Sequence, residues 1–426
     1  VTMLEESVPE RGPRSRSRSP GGSAGLCEER RSAGAPAEAS PPDIVRLSVV
    51  SIGGDPVASL SLPVSSCVGE VKQRVAEATG FPPLRLRLVL RGEILPTAAR
   101  LADAGVRDLD CLTLVKTARA VLTASADRLA KLWSVDTGEC LRTFEGDDIL
   151  ATLSPEGHSD DVVMATLSPD GLCVLTASED STARLWKTET GECTRTFAGH
   201  SAAVRSAVFS PDGLVVLTSS EDGSARLWKR FGKRATVSPF QTLGRQGAAL
   251  WSACFFPNGS VVLAASEDKV ARVWQLSTCA CVQTLRGHDG AVLSADVAPD
   301  GSVALTASSD KTARLWSMAT SACLQVFSGH GSVVSWAMFS SDGASVLTSS
   351  VDRSAKVWNR ATGECLQTFV AGHTSVWWSA FCVEDSSLAL TGSEDGTARL
   401  WDAATGECRQ HLRGHKDAVF WAALSP

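Results

Sequence analysis

Histidine, cysteine and aspartate are the side chains best suited to metal binding, acid–base work or nucleophilic attack, and in this chain of 426 residues they recur in columns. His158, His200, His288, His330 and His373 each stand 28 residues before a tryptophan, and Gln246 holds the same place in one repeat. Asp127, Asp180, Asp222, Asp268, Asp310, Asp352 and Asp395 each stand six residues before Trp133, Trp186, Trp228, Trp274, Trp316, Trp358 and Trp401. A metal ion needs three or four ligands converging on one point, and one histidine per repeat is too dispersed for that. Cys140, Cys193, Cys281, Cys323, Cys365 and Cys408 form a further dispersed column. Cys279 and Cys281 are the closest pair, with no second pair to complete a zinc site. No GxxxxGK[ST] loop, no GxGxxG after a strand and no GxSxG elbow occurs. The columns predict no metal, no cofactor and no enzyme, but a bond set repeated for structural reasons.

The elements that carry these columns follow from the period, which is near 42 residues. Short strand patterns such as Val216 to Thr218 and Ala225 to Trp228 lie between each histidine and its tryptophan, so the unit is a four-stranded antiparallel blade. A constant interval between aspartate and tryptophan requires one fixed turn. A glycine before each histidine and a tryptophan ending the third strand resemble the WD40-repeat β-propeller family, over roughly residues 118–426. That resemblance implies an all-β propeller of seven blades. It also implies a hydrogen-bonded set of His, Ser or Thr, Asp and Trp in each blade, for example His200, Thr218 or Ser220, Asp222 and Trp228. Only Trp401-Asp402 gives the literal dipeptide.

One blade cannot bury both of its apolar faces, and ring closure removes the open edges. The repeats begin at AVLTAS, a second strand, and finish at AVFWAALSP, a first strand. Residues 418–424 should therefore complete the first blade beside residues 120–144, with His415 serving it. The segment 147–167 holds two near copies of one motif, and the 28-residue spacing favours the second copy as the strand.

Residues 43–116 show two strand runs, a helix pattern from Ser66 as its N-cap to Gly80, and two further strand runs. ATGFPPLRLRLVLRGEIL followed by LADAGVRDLDCLTLV resembles ubiquitin, which implies a small α+β (β-grasp) domain. The resemblance places an apolar recognition patch at Val89, Thr113 and Val115, and so implies docking to ubiquitin-receptor surfaces such as the proteasome. Thr117-Ala118-Arg119 replaces the diglycine, which excludes conjugation. Residues 1–42, rich in Pro, Gly, Ser and Arg, read as a disordered tail.

The propeller region holds 33 acids and 26 bases, net −7, which opposes nucleic-acid binding. No apolar run long enough to span a membrane occurs. The 13 cysteines are odd in number and dispersed, which predicts reduced thiols and a cytoplasmic or nuclear location.

A ligand site belongs where the repeats differ. Before the aspartates stand Glu179, Glu221, Glu267 and Glu394, against Ala126, Ser309 and Val351. Five residues after the histidine column stand Arg205, Trp251, Trp378 and Phe420, against Val163, Leu293 and Ser335. Acids and aromatics on one face fit a peptide with Lys or Arg and an apolar anchor. The reading is a monomeric, non-enzymatic scaffold for protein–protein interaction. One alternative is a substrate receptor or adaptor of a ubiquitin ligase, against which the missing WDxR sequence weighs. Another is an RNA-processing factor, resting on the Arg/Ser run at residues 14–19.

Overall fold

A computed structural model describes residues 44–51, 53–79, 86–95, 99–116, 120–145, 157–232, 236–244, 247–370, 372, 374–382 and 387–424. The expectations for the tail, for the first copy in the duplicated segment, for Gln246 and for His373 lie outside them.

The first unit is a five-stranded sheet crossed by one helix. Its elements are β1 (Ile44–Ser51), β2 (Pro56–Pro63), α1 (Val68–Thr79), β3 (Leu86–Leu90), β4 (Glu93–Ile94) and β5 (Cys111–Lys116), in sheet order β2-β1-β5-β3-β4. Val68, Val71 and Val75 fall on one face of α1 at helical spacing and are fully buried against Val45, Val49, Leu88 and Leu112. The helix starts one residue later than a Ser66 cap would place it. Ser66 is instead tied into the loop, donating its N–H to Pro63 O at 2.9 Å and accepting from Leu101 N at 2.9 Å.

Among the described residues the remainder forms seven antiparallel sheets. Their inner strands are Val419–Leu424, Val162–Leu167, Val204–Phe209, Leu250–Phe255, Val292–Val297, Val334–Phe339 and Val376–Phe381, here blades one to seven. Each inner strand touches the next, and that of blade seven touches that of blade one. Blade one joins chain segments far apart in sequence, since Val419–Leu424 pairs with Ala120–Ser125. Blade two has five strands, because Thr236–Val237 from the blade-three excursion adds in parallel to its outer strand.

Burial explains the strand compositions. Second strands such as Val303–Ser308 and Leu388–Ser393 are buried at every residue, because neighbouring blades cover both faces. In the outer strand Cys140–Phe144 only the last residue is buried. Each Asp turn places the residue directly after the aspartate in the left-handed region, at Arg128 (φ 68°), Ser181 (66°), Gly223 (75°), Lys269 (72°), Lys311 (70°), Arg353 (75°) and Gly396 (76°). Only two are glycine, so the aspartate's own bonds must hold the turn. In blade two Asp180 Oδ1 accepts from Thr182 N at 2.9 Å and from its hydroxyl at 2.6 Å.

Candidate partner-binding face

The face is built on a repeated bond set. In blade three the Trp228 indole N–H donates to Thr218 Oγ1 at 2.8 Å, Thr218 Oγ1 lies 2.7 Å from His200 Nε2, and His200 Nδ1 lies 2.8 Å from Asp222 Oδ2. The same chain runs through Trp186, Thr176, His158 and Asp180, and through Trp316, Thr306, His288 and Asp310. It recurs through Trp358, Thr348, His330 and Asp352. Blade one completes it across the chain ends, with Trp133, Thr123, His415 and Asp127. A neutral imidazole that donates from Nδ1 and accepts at Nε2 satisfies both neighbours.

Electrostatics favours that state. Burial pulls His158, His200, His288 and His330 below the ordinary histidine value, against the opposing pull of their aspartates. Burial alone would raise Asp222, but hydrogen bonds from Ser224 and His200 outweigh it and bring the carboxyl down to about 2. These histidines are therefore braces, closed to substrate.

Among the described residues one blade departs from the set, and in another its described members hold. In blade four Ala264 stands opposite Arg272 where the others have threonine, and Asp268 pairs with Arg272 at 2.5 Å. Asp268 and Trp274, expected as members of a full set, therefore lack the threonine. In blade seven Trp401 Nε1 donates to Thr391 at 2.9 Å, while Asp395 pairs with Arg399.

The variable positions gather at the end of the blades that carries the Asp turns. Arg205 joins three blades there. It donates to Glu179 of blade two at 2.6 Å and from Nε to Glu221 of its own blade at 2.7 Å, and its guanidinium lies 5.1 Å from the Trp251 ring of blade four. Glu179 and Glu221 are thus neutralised within the molecule, and one side of Trp251 is occupied. Glu267 and Glu394 are exposed and make no ion pair among the described residues.

Trp378 is not on this face. From His158, His200, His288, His330 and His415 the first valine of the inner strand is four residues on, but Val376 follows His373 by three. Val376 pairs with Ser393 as Val204 pairs with Ser220, so Trp377 takes the position equivalent to Arg205. Trp378 is 3% exposed, 4.5 Å from Trp421 and 6.4 Å from Trp336 between ring centroids. Trp377 is half-buried and meets Phe420 of blade one edge-on at 6.1 Å.

A further column went unread in the sequence although the signal was there, two residues after the cysteines, with Pro239 in the cysteine place before Gln241. Gln241 and Gln283 donate to Leu276 O and Met318 O of the following blade at 2.6 and 2.7 Å. Gln367 donates to Ala404 O at 3.4 Å, and Arg142 to Thr190 O at 3.1 Å. Gln410 closes the series on blade one, donating to Val135 O at 2.7 Å with its amide oriented to accept from Gly138 N. The cysteines start these strands as free thiols. Among the described residues no three His, Cys, Asp or Glu side chains are grouped to hold a metal ion, and no helix is long and apolar enough to cross a membrane.

In the ubiquitin-like unit Val89 pairs with Thr113 and Arg87 with Val115 across β3 and β5. Val89 and Thr113 are half-buried on the outer face, and the Val115 side chain lies outside the description. Arg87, on the same face as Val89, donates to Gly171 O of blade two at 3.3 Å.

Comparison with known proteins agrees with both folds. The profile described as "WD domain, G-beta repeat" matches residues 138–187, 191–229, 238–275, 279–317, 321–359 and 363–402. Each match opens in or near one blade's outer strand and ends on the next blade's third, so blade one, split between two segments, has no match of its own. The ubiquitin family profile matches residues 57–119. Similar curated proteins include THO complex subunit 6 of Arabidopsis thaliana, 31% identical over 21% of this chain and 21% of its own length. The probable E3 ubiquitin ligase complex SCF subunit sconB of Penicillium rubens is 30% identical over 18% of this chain and 19% of its own. Nuclear distribution protein PAC1 of Arthroderma otae is 36% identical over 16% and 12%. The chain spans about a fifth or less of these relatives. With six matched repeats covering more than half its length, the chain belongs to the WD domain, G-beta repeat family and carries a ubiquitin-family domain before its repeats.

Proposed function

We propose that this protein is a non-catalytic scaffold that binds protein partners on the propeller face bearing the Asp turns, and that its ubiquitin-like unit offers Val89 and Thr113 to ubiquitin-receptor surfaces. The observation that carries the reading is the contrast between positions on that face. The histidines and aspartates are consumed by internal bonds, whereas Glu267, Glu394, Trp377 and Phe420 differ from blade to blade and keep exposed surface. Affinity capture with the full chain tests it, comparing Glu394→Lys with Leu214→Lys, an exposed loop position at the opposite end of the blades. Partners lost with Glu394→Lys and kept with Leu214→Lys support the face; the reverse refutes it. Val89→Asp tests the second surface, and equal capture of ubiquitin receptors by wild type and variant removes that part.

An adaptor role in a ubiquitin ligase is the second reading. It is supported by the ubiquitin-family domain and by relatives named as SCF subunits. Co-purification of ligase subunits with the full chain, lost on a change to either surface, is its test.

A further inference from the structure

Arg205 shows what chemistry the Asp-turn face accepts. Its guanidinium is held by carboxylates of two adjacent blades, Glu179 and Glu221, while the aromatic ring of the next blade, Trp251, lies under it. The chain supplies its own cation in that arc. The arc of blades seven and one has the same kinds of surroundings, and among the described residues no cation is paired with its glutamate. Trp377 stands in register with Arg205, and Phe420, the equivalent residue of blade one, meets it at 6.1 Å. Glu394 stands where Glu221 stands: its N–H donates to Ser375 O as that of Glu221 does to Ala203 O. Glu394 is exposed, accepts a hydrogen bond from Ser375 N at 3.3 Å, and makes no ion pair among the described residues. Asp160, Asp161, Asp417 and Glu179 crowd the neighbouring edge, where they face Arg128; Asp161 is raised above the ordinary carboxyl value by burial first and then by those carboxylates.

We infer that Glu394, Trp377 and Phe420 form a receptor for an arginine side chain of a partner peptide. The carboxylate pairs with the guanidinium, which lies on the face of the Trp377 ring with Phe420 edge-on beside it, reproducing between molecules what Arg205 does within one. Arginine suits the site better than lysine, because a planar guanidinium can lie on a ring while forking onto a carboxylate, whereas an ammonium is a compact, strongly hydrated charge. The inference rests on the scaffold reading and narrows it from a face to one pocket and one side chain.

The test uses the full chain and three fluorescein-labelled peptides of sequence Ala-Leu-Xaa-Leu-Ala, with Xaa arginine, citrulline or lysine, read by fluorescence anisotropy. Citrulline keeps the shape of arginine and removes its charge. The arginine peptide should bind about fivefold or more tightly than the other two, as a cation–π contact plus one exposed ion pair would give. Glu394→Gln and Trp377→Leu should each remove that preference, and Leu214→Lys, at the opposite end of the blades, should leave it intact. Trp377→Phe, which keeps an aromatic face, should retain most of it, so a loss through misfolding is distinguishable from loss of the ring. Equal binding of arginine and citrulline peptides overturns the inference, as does a preference that survives Trp377→Leu or equal binding of the lysine peptide. If arginine shows no preference while Glu394→Lys still abolishes capture of protein partners, the pocket is refuted and the face is not.

Discussion

Two adjacent tryptophans in blade seven differ in what their loss should cost. Trp378 is 3% exposed and packs on Trp421 and Trp336, whereas Trp377 is half-buried at the end of the blade. Burying an aromatic side chain removes about 150–250 Å² from water, or about 4–6 kcal/mol at about 25 cal/mol/Å². Allowing for partial burial in the unfolded chain lowers this to about 3–5 kcal/mol, the range usual for Trp→Ala in a core. Trp377→Ala should cost about 1 kcal/mol or less. For a propeller of about 300 residues, an unfolding entropy of about 2.1 cal/mol/K per residue converts these to a fall in Tm of about 5–8 °C for Trp378→Ala and under about 2 °C for Trp377→Ala. Thermal unfolding followed by circular dichroism reads both. Equal shifts, or a larger one for Trp377→Ala, would show that the inner strand of blade seven is one residue out of the register described above.

Three further outcomes follow from the bond set and the closure. Thr348→Val removes the hydroxyl between Trp358 and His330 and leaves two buried groups unpaired; a loss of about 2–3 kcal/mol is expected in denaturant unfolding, and a change under about 0.5 kcal/mol would contradict the brace. Deleting residues 413–426 takes His415 and the inner strand from blade one, and the product should aggregate by light scattering; a soluble monomer with an unchanged transition refutes the closure. For pH, His158, His200, His288 and His330 have folded values below the ordinary 6.5, so the unfolded chain binds protons first. Their contribution is full above about pH 6.5 and is lost as pH falls toward the folded values. Asp222, held at about 2, keeps its contribution until pH drops below about 4. Tm should fall between about pH 6.5 and 5 and again below about 4; a flat Tm over the first interval would sink the neutral-histidine assignment.

What could be read from the sequence was whatever the ring repeats without change. The six-residue interval from Asp180 to Trp186 is one Asx turn plus one strand, and any unit with that interval must fold it the same way. Counting fails where the interval changes. Val376 follows His373 one residue early, and a count from the histidine therefore selected Trp378 in place of Trp377. Counting inward from the paired valines would have avoided the slip, because a strand pairs by register and a loop does not. Charge reading failed differently. Glu179 and Glu221 look like a free acidic arc until Arg205, one residue of a third column, is seen to reach both. In blade four Ala264 takes the place of the threonine and Asp268 pairs with Arg272, and a column read position by position does not show which neighbour an aspartate turns to. The glutamines were legible as letters, but their partners lie about 35 residues away in the next blade, a contact that local pattern does not encode.

Blade one has a consequence for the time at which the propeller can exist. Its inner strand, Val419–Leu424, must meet Ala120–Ser125, and at about 5–20 residues per second the ribosome needs about 15–60 s to make the intervening chain. Throughout that interval the nascent chain holds a three-stranded blade at one end of an incomplete arc, with apolar surfaces made to lie against a neighbour not yet translated. The same pairing closes a loop of about 300 residues, an entropic cost that local blade formation does not bear. Blades two to seven can form as they emerge, but the last step is a single long-range event that waits for residues 419–424. A pause or premature stop shortly before them would release a molecule with nearly all of its native bonds and none of its closure.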